Sequence, residues 1–156
     1  MPIVLVRVDE RLIHGQILEG WLPCTRAQEL IIANDSLAED QLQKMIMQSA
    51  IPYTISLVID SVEGIASFLQ RQGNTDIRRM IIVDNPVDAL RLRRAGVRFS
   101  RLNLGNTVSS EVSVCLSRTV SLGGENLTAL RNMLKEGVRV SIQAVPYEAP
   151  MDVVDV

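Results

Sequence analysis

Two arginines, two carboxylates and the chain's one histidine fall within ten residues, Arg7-Val8-Asp9-Glu10-Arg11-Leu12-Ile13-His14-Gly15-Gln16, and no other segment is as dense in reactive side chains. A histidine ring nitrogen takes a phosphoryl group when the other nitrogen is held by a partner. Arginine offers a planar fork that neutralises the oxygens of a phosphoryl group in transfer. A helix start at the same spot adds free backbone N–H donors for an anion. The expected chemistry is therefore phosphoryl transfer, with His14 as nucleophile and Arg7 and Arg11 around the transferred group. Asp9 stays open between orienting an arginine or the imidazole and pairing Arg7 for structure. Glu10 reads as a solvated loop charge. The bland alternative for a lone histidine at a helix start is a surface or capping residue, and it is the neighbouring arginines that weigh against it. Gln16 closes the segment as a further candidate. So do Asn34 and Asp35, although Asn-Asp-Ser before a helix reads equally well as pure capping chemistry.

These residues need a strand to leave and a helix to enter. Short β-branched runs at Ile3 to Val8, Glu29 to Ala33, Thr54 to Ile59, Met80 to Val83, Phe99 to Leu104 and Val138 to Val145 read as strands. Between them lie helical segments. Ser36-Leu37-Ala38-Glu39 has the spacing of a capping box, Asn85-Pro86 an N-cap followed by proline, and Val62, Ile65, Ala66 and Leu69 make one apolar helix face. Gly96 and Gly137 end helices and lead into strands. The alternation predicts an α/β fold, an open, mostly parallel doubly wound sheet with helices on both faces. Asn106 to Gly124 reads as a loop plus a short edge strand, and the tail from Met151 to Val156 as a last strand or a frayed end. In such a sheet ligands bind beyond the carboxyl ends of the strands, where the loop from Arg7 to His14 lies.

A chain of 156 residues, 47% hydrophobic and 22% charged, predicts one globular domain over 1–156. The net charge of -2 argues against nucleic acid as a partner. Only Lys44 and Lys135 accompany the many arginines, a bias toward oxyanion contacts. Cys24 and Cys115 belong to no pair at metal or redox spacing and are expected to be reduced, small core residues. No metal and no cofactor is expected. The chain opens directly on an apolar strand, and no stretch approaches the roughly 20 apolar residues of a membrane span, so the expected location is cytoplasmic with no membrane insertion.

The run at 7 to 16 resembles the active-site loop of IIB subunits of the mannose/fructose/sorbose family of the bacterial phosphoenolpyruvate-dependent sugar phosphotransferase system. Trp21, Ile32-Ala33-Asn34-Asp35 before a helix, Gly137-Val138 and Val145-Pro146 extend the resemblance over nearly the whole chain. The resemblance implies that His14 receives a phosphoryl group from the phosphohistidine of a IIA subunit and passes it to a sugar held by membrane IIC and IID subunits. Arg7, Asp9 and Arg11 fall on the motif positions flanking that histidine. The chain departs from the family pattern at Asn106, where a second glycine is common. A homo-oligomer is compatible with this reading. The rival function is a phosphorylation-responsive regulatory protein that keeps the His14 loop and delivers nothing to a sugar. A nucleotide-binding module is disfavoured because no Gly-x-Gly-x-x-Gly or Walker A loop follows a strand.

Overall fold

The computed structural model describes residues 2–109 and 112–156. Strand β1 (Ile3–Asp9) runs through the loop 10–14 into a π-helix (Gln16–Trp21) that continues as the short α1 (Leu22–Thr25). Then follow β2 (Glu29–Ala33), α2 (Asp35–Ala38), α3 (Gln41–Ala50), β3 (Ser56–Asp60), α4 (Val62–Gln72), β4 (Arg79–Val83), α5 (Pro86–Arg94), β5 (Arg101–Val108), β6 (Val114–Cys115), β7 (Val120–Leu122), α6 (Gly124–Lys135), β8 (Arg139–Ile142) and β9 (Met151–Val153).

Six strands pair in parallel in the order β3-β2-β4-β1-β5-β8, and β9 closes one edge antiparallel to β8. Strand β5 forks: its first half pairs with β8, while Thr107 and Val108 pair with β7, which carries antiparallel β6. The expected sheet, mostly parallel with helices on both sides, is the observed one. On one face α4, α5 and α6 bury Val62, Ile65, Leu92, Leu130 and Met133 against Val6, Val8, Ile81 and Leu104. On the other, the π-helix, α1, α2 and the residues around Ile51 pack Ile17, Trp21 and Leu37 on Leu30, Ile32, Met80 and Ile82.

The four apolar positions read on α4 are its four buried residues. Asn85 caps α5 by accepting from Asp88 N at 2.8 Å. After α5, Gly96 takes φ 102 and Val97 N–H donates back to Leu92 O at 3.0 Å, a left-handed stop that a Cβ would disfavour. Four expectations are corrected. The Ser36 box does not form: Asn34 is the cap, accepting from Leu37 N at 2.9 Å, and Glu39 lies at the helix end. Asn34 wins because its Nδ2 also reaches Asp84 Oδ2 at 2.8 Å, a tie Ser36 cannot make. Strand β5 starts two residues after Phe99 and runs on to Val108, because β7 pairs with its end. Strand β8 stops at Ile142, three residues short of Val145, where the chain turns to return as β9, which makes the tail a strand. Cys24 and Cys115 are exposed, Cys115 in a two-residue strand that nothing covers. Residues 110 and 111, within the stretch read as loop plus edge strand, lie outside the described residues.

Candidate functional site

Alternation along β1 turns Val6 and Val8 to the α4–α6 side and leaves Arg7 and Asp9 on the opposite face, both fully buried. A buried guanidinium must spend its donors on acceptors. Arg7 Nη1 donates to Asn103 Oδ1 on β5 and to Gln143 O at 2.8 Å; Nη2 donates to Ala144 O at 3.0 Å and to Asp9 Oδ2 at 3.3 Å. The Trp21 ring covers the group at 4.8 Å and its Nε1 donates to the same Ala144 carbonyl. Gly105 makes room for this: a methyl group there would overlap the Arg7 guanidinium. Burial presses the Arg7 pKa down to about 10, against the attraction of Asp9, so the group remains a cation at neutral pH.

Asp9 is the hub. Its Oδ1 accepts from Arg11 backbone N and Nε, both at 3.1 Å. Its Oδ2 takes Arg11 Nη2 at 3.1 Å, Arg7 at 3.3 Å and His14 Nε2 at 3.1 Å. Burial alone would raise its pKa, but the hydrogen bonds from His14 and Arg11 and the charge of Arg7 together hold it well below the usual carboxylate range. An ionised carboxylate only accepts, so the shared proton is on Nε2 and the lone pair of a neutral ring is on Nδ1. Nδ1 has no hydrogen-bond partner among the described residues. The His14 side chain is 15% exposed, enough to be reached from outside.

The loop is bent to make this possible. Leu12 adopts φ 57, a left-handed conformation that costs a branched residue about 1 kcal/mol, and is held there by burial among Ile17, Leu37 and their neighbours. The turn returns Leu12 N–H to Asp9 O at 3.0 Å and starts the π-helix directly after Gly15, with Ile17 N and Leu18 N both donating to His14 O. Helices of this wide type are rare and frequently mark functional sites. The N–H groups of Gly15 and Gln16 precede the first intrahelical bond and have no hydrogen-bond acceptor among the described residues. Two guanidinium groups against one carboxylate leave a surplus positive charge under His14.

Gln16 joins the group by accepting from Arg11 Nη2 at 2.8 Å. Asn34 and Asp35 do not. Asn34 caps α2 and holds Asp84. Asp35 accepts from Val62 N at 3.0 Å and pairs with Arg91 at 2.9 Å, and the Val62 bond leads the contacts that lower its pKa. Sequence reasoning missed Asn103, the carbonyls of Gln143 and Ala144, and Asn106. With its amide oxygen toward Arg11 Nε and its nitrogen toward Thr119 O, both at 3.2 Å, Asn106 ties the His14 loop to the strand-β7 extension. Glu10, read as solvated, adds a second tie: its N–H donates to Asn106 O at 2.8 Å, and its carboxylate accepts from Val108 N at 3.3 Å. A glycine inside a strand, Gly105, was the one available signal of a close approach here. Among the described residues no group of three or more His, Cys, Asp or Glu is arranged to hold a metal ion, and no helix is long and apolar enough to cross a membrane.

A family model described as PTS system sorbose subfamily IIB component matches residues 3–156. The chain belongs to this IIB family. The N-acetylgalactosamine-specific phosphotransferase enzyme IIB component 2 of Escherichia coli (strain K12) is 31% identical to it over 153 residues, 97% of each chain. The crystal structure of the IIBSor domain of the sorbose permease from Klebsiella pneumoniae superposes with a TM-score of 0.89 at 30% identity, covering 99% of this IIB chain and 95% of that one. The PTS system mannose-specific EIIAB component of Escherichia coli (strain K12) is 24% identical, and this chain spans 48% of its length. The protein is thus a IIB component of the sugar phosphotransferase system, consistent with phosphoryl transfer.

Proposed function

We propose that this IIB component carries a phosphoryl group on His14, taken from a IIA phosphohistidine and passed to a sugar held by membrane IIC and IID subunits. The supporting observation is the contact of His14 Nε2 with buried Asp9 at 3.1 Å, which fixes the ring and turns the Nδ1 lone pair into a ready nucleophile. Nδ1 attacks phosphorus, the bond from phosphorus to the donor histidine breaks, and the charge on the equatorial oxygens is met by Arg11, whose side chain is 40% exposed. Arg7 does not reach the phosphoryl group: it is sealed beneath Asp9 and acts by fixing that carboxylate. The family of the mannose-specific EIIAB protein, in which IIA and IIB are joined, supports a IIA donor. A cytoplasmic location belongs to this reading, because the IIA donor it requires would act there.

The test is incubation with phosphoenolpyruvate, Enzyme I, HPr and a cognate IIA. One acid-labile phosphate should appear on wild type and none on His14→Ala, with the melting temperature of the variant little changed. Equal labelling of His14→Ala, or retention of the phosphate in the presence of IIC/IID membranes and every sugar tried, would overturn the reading.

A further inference from the structure

The second sheet face is covered unevenly. Its apolar cluster draws on β1, β2, β3 and β4 but on no residue of β5 or β8. Over those two strands a groove of about 960 Å³ opens instead, with Trp21 toward the carboxyl ends and the Arg98–Ser100 turn toward the amino ends. Arg101 and Arg139 line it and are register partners on the parallel strands β5 and β8. Paired strands lie about 4.8 Å apart, so two guanidinium groups leave the same face side by side. Like charges placed directly opposite each other destabilise a sheet. Arg98 lines the same groove, and Asp152 is its only carboxylate among the described residues. Arg7, Arg79, Arg91 and Arg94 each meet a carboxylate, whereas the side chains of Arg98, Arg101 and Arg139 have no hydrogen bond or ion pair among the described residues.

Farther along the same face the lining changes from charge to hydrogen bonding. Asn103, 5% exposed, uses its oxygen for Arg7, and its Nδ2 has no partner among the described residues; neither has Ser141 Oγ beside it. Two residues of strand separate Arg101 from Asn103, roughly 6.6 Å. An anion at the arginine pair and a small polar body at Asn103 and Ser141 would therefore fit one molecule. The volume lies within the range of small-ligand clefts.

We propose that this groove is a binding site for a small organic phosphate of the sugar-phosphate class, its phosphate held between Arg101 and Arg139 and its hydroxyls against Asn103 and Ser141. The site adjoins the Arg7 cage through Asn103 but involves neither His14 nor Arg11, so its failure would leave the carrier reading standing. The test is titration of the full chain with glucose 6-phosphate, glucose and inorganic phosphate at constant ionic strength, followed by amide chemical shifts. Glucose 6-phosphate should give saturable shifts at the starts of β5 and β8, in wild type and His14→Ala alike. Glucose should give none, and inorganic phosphate weaker shifts at the same residues. The Arg101→Ala, Arg139→Ala double variant should bind roughly tenfold to a hundredfold more weakly, with a melting temperature equal to or above wild type because a like-charge pair is removed. Shifts that do not saturate, shifts confined to the His14 loop, equal affinity for inorganic phosphate, or undiminished binding by the double variant would each overturn the proposal.

Discussion

Two fully buried arginines hold opposite ends of the central strands of the sheet. Arg7 lies at the carboxyl ends of the strands and Arg79 at the amino ends; each meets a carboxylate and an aromatic ring. Arg79 is a closed arrangement. Its Nε donates to Glu29 Oε1 at 2.6 Å on the register partner in β2, and its remaining forks go to Thr75 and Gln72, both at 3.1 Å. Arg7 is open at one end: the carboxylate it fixes is shared with Arg11 and His14, which reach the surface. A closed pair serves the fold alone, while one whose carboxylate is shared outward transmits its rigidity to a reacting group. What distinguishes the two is the set of groups attached to the carboxylate, since burial is the same for both.

The sharpest way to break that comparison is to remove each cation in turn. Arg79→Met should cost about 3–5 kcal/mol in urea unfolding, because Glu29 is left buried and unpaired, while phosphate acceptance per folded molecule stays at the wild-type rate. Arg7→Met should cost a similar amount and depress acceptance as well. Equal acceptance by the folded fractions of both variants would abolish the distinction.

Acid separates the two ends differently. The pKa of Asp9 is depressed in the folded state, so its ionised form stabilises the fold fully above the ordinary carboxylate range, and that stability drains away as the pH falls through the range toward the folded value. Wild type should lose stability between about pH 5 and pH 2. Asp9→Asn, less stable at neutral pH, should lose less over that interval when melting temperature is followed against pH.

Arg11→Lys keeps the charge but gives up the fork, at a cost of roughly 1.5–3 kcal/mol in the transition state. Transfer should slow about tenfold to a hundredfold, far more than the accompanying loss of melting temperature accounts for, as measured by stopped transfer from phosphorylated IIA. The smallest effect belongs to Asn106→Gly, which deletes one neutral hydrogen bond of about 0.5–1.5 kcal/mol and one from the Arg11 Nε that Asp9 Oδ1 also accepts. Transfer should fall severalfold or less, and an unchanged rate would show that Asp9 alone positions Arg11.

The candidate loop was legible in the sequence because it is local: Arg7, Asp9, Arg11, His14 and Gln16 fall within ten consecutive positions and meet each other in the fold. The cage around Arg7 was not, since Asn103 and Gln143 come from 96 and 136 residues away and Gln143 contributes a carbonyl that every residue possesses. The α4 face could be read from its period, as all four expected positions are buried. The start of α2 could not, because Asn34 and Ser36 both carry capping side chains and the choice was made by Asp84, a contact across the sheet. Similar tertiary ties occupy the side chains of Asn34 and Asp35, neither of which hydrogen-bonds to His14.

Trp21, the chain's one tryptophan, is seated on the cation that anchors the carboxylate beneath His14, and it shares the Ala144 carbonyl with that cation. The molecule thus places its one tryptophan, whose emission can be excited apart from that of its two tyrosines, in direct contact with its electrostatic centre. A phosphoryl group arriving at His14, as proposed, would alter the field felt through Asp9 and Arg7, and the indole emission should register that arrival. Loading and unloading of the carrier could then be followed in real time by light, with no label attached and no substituted residue.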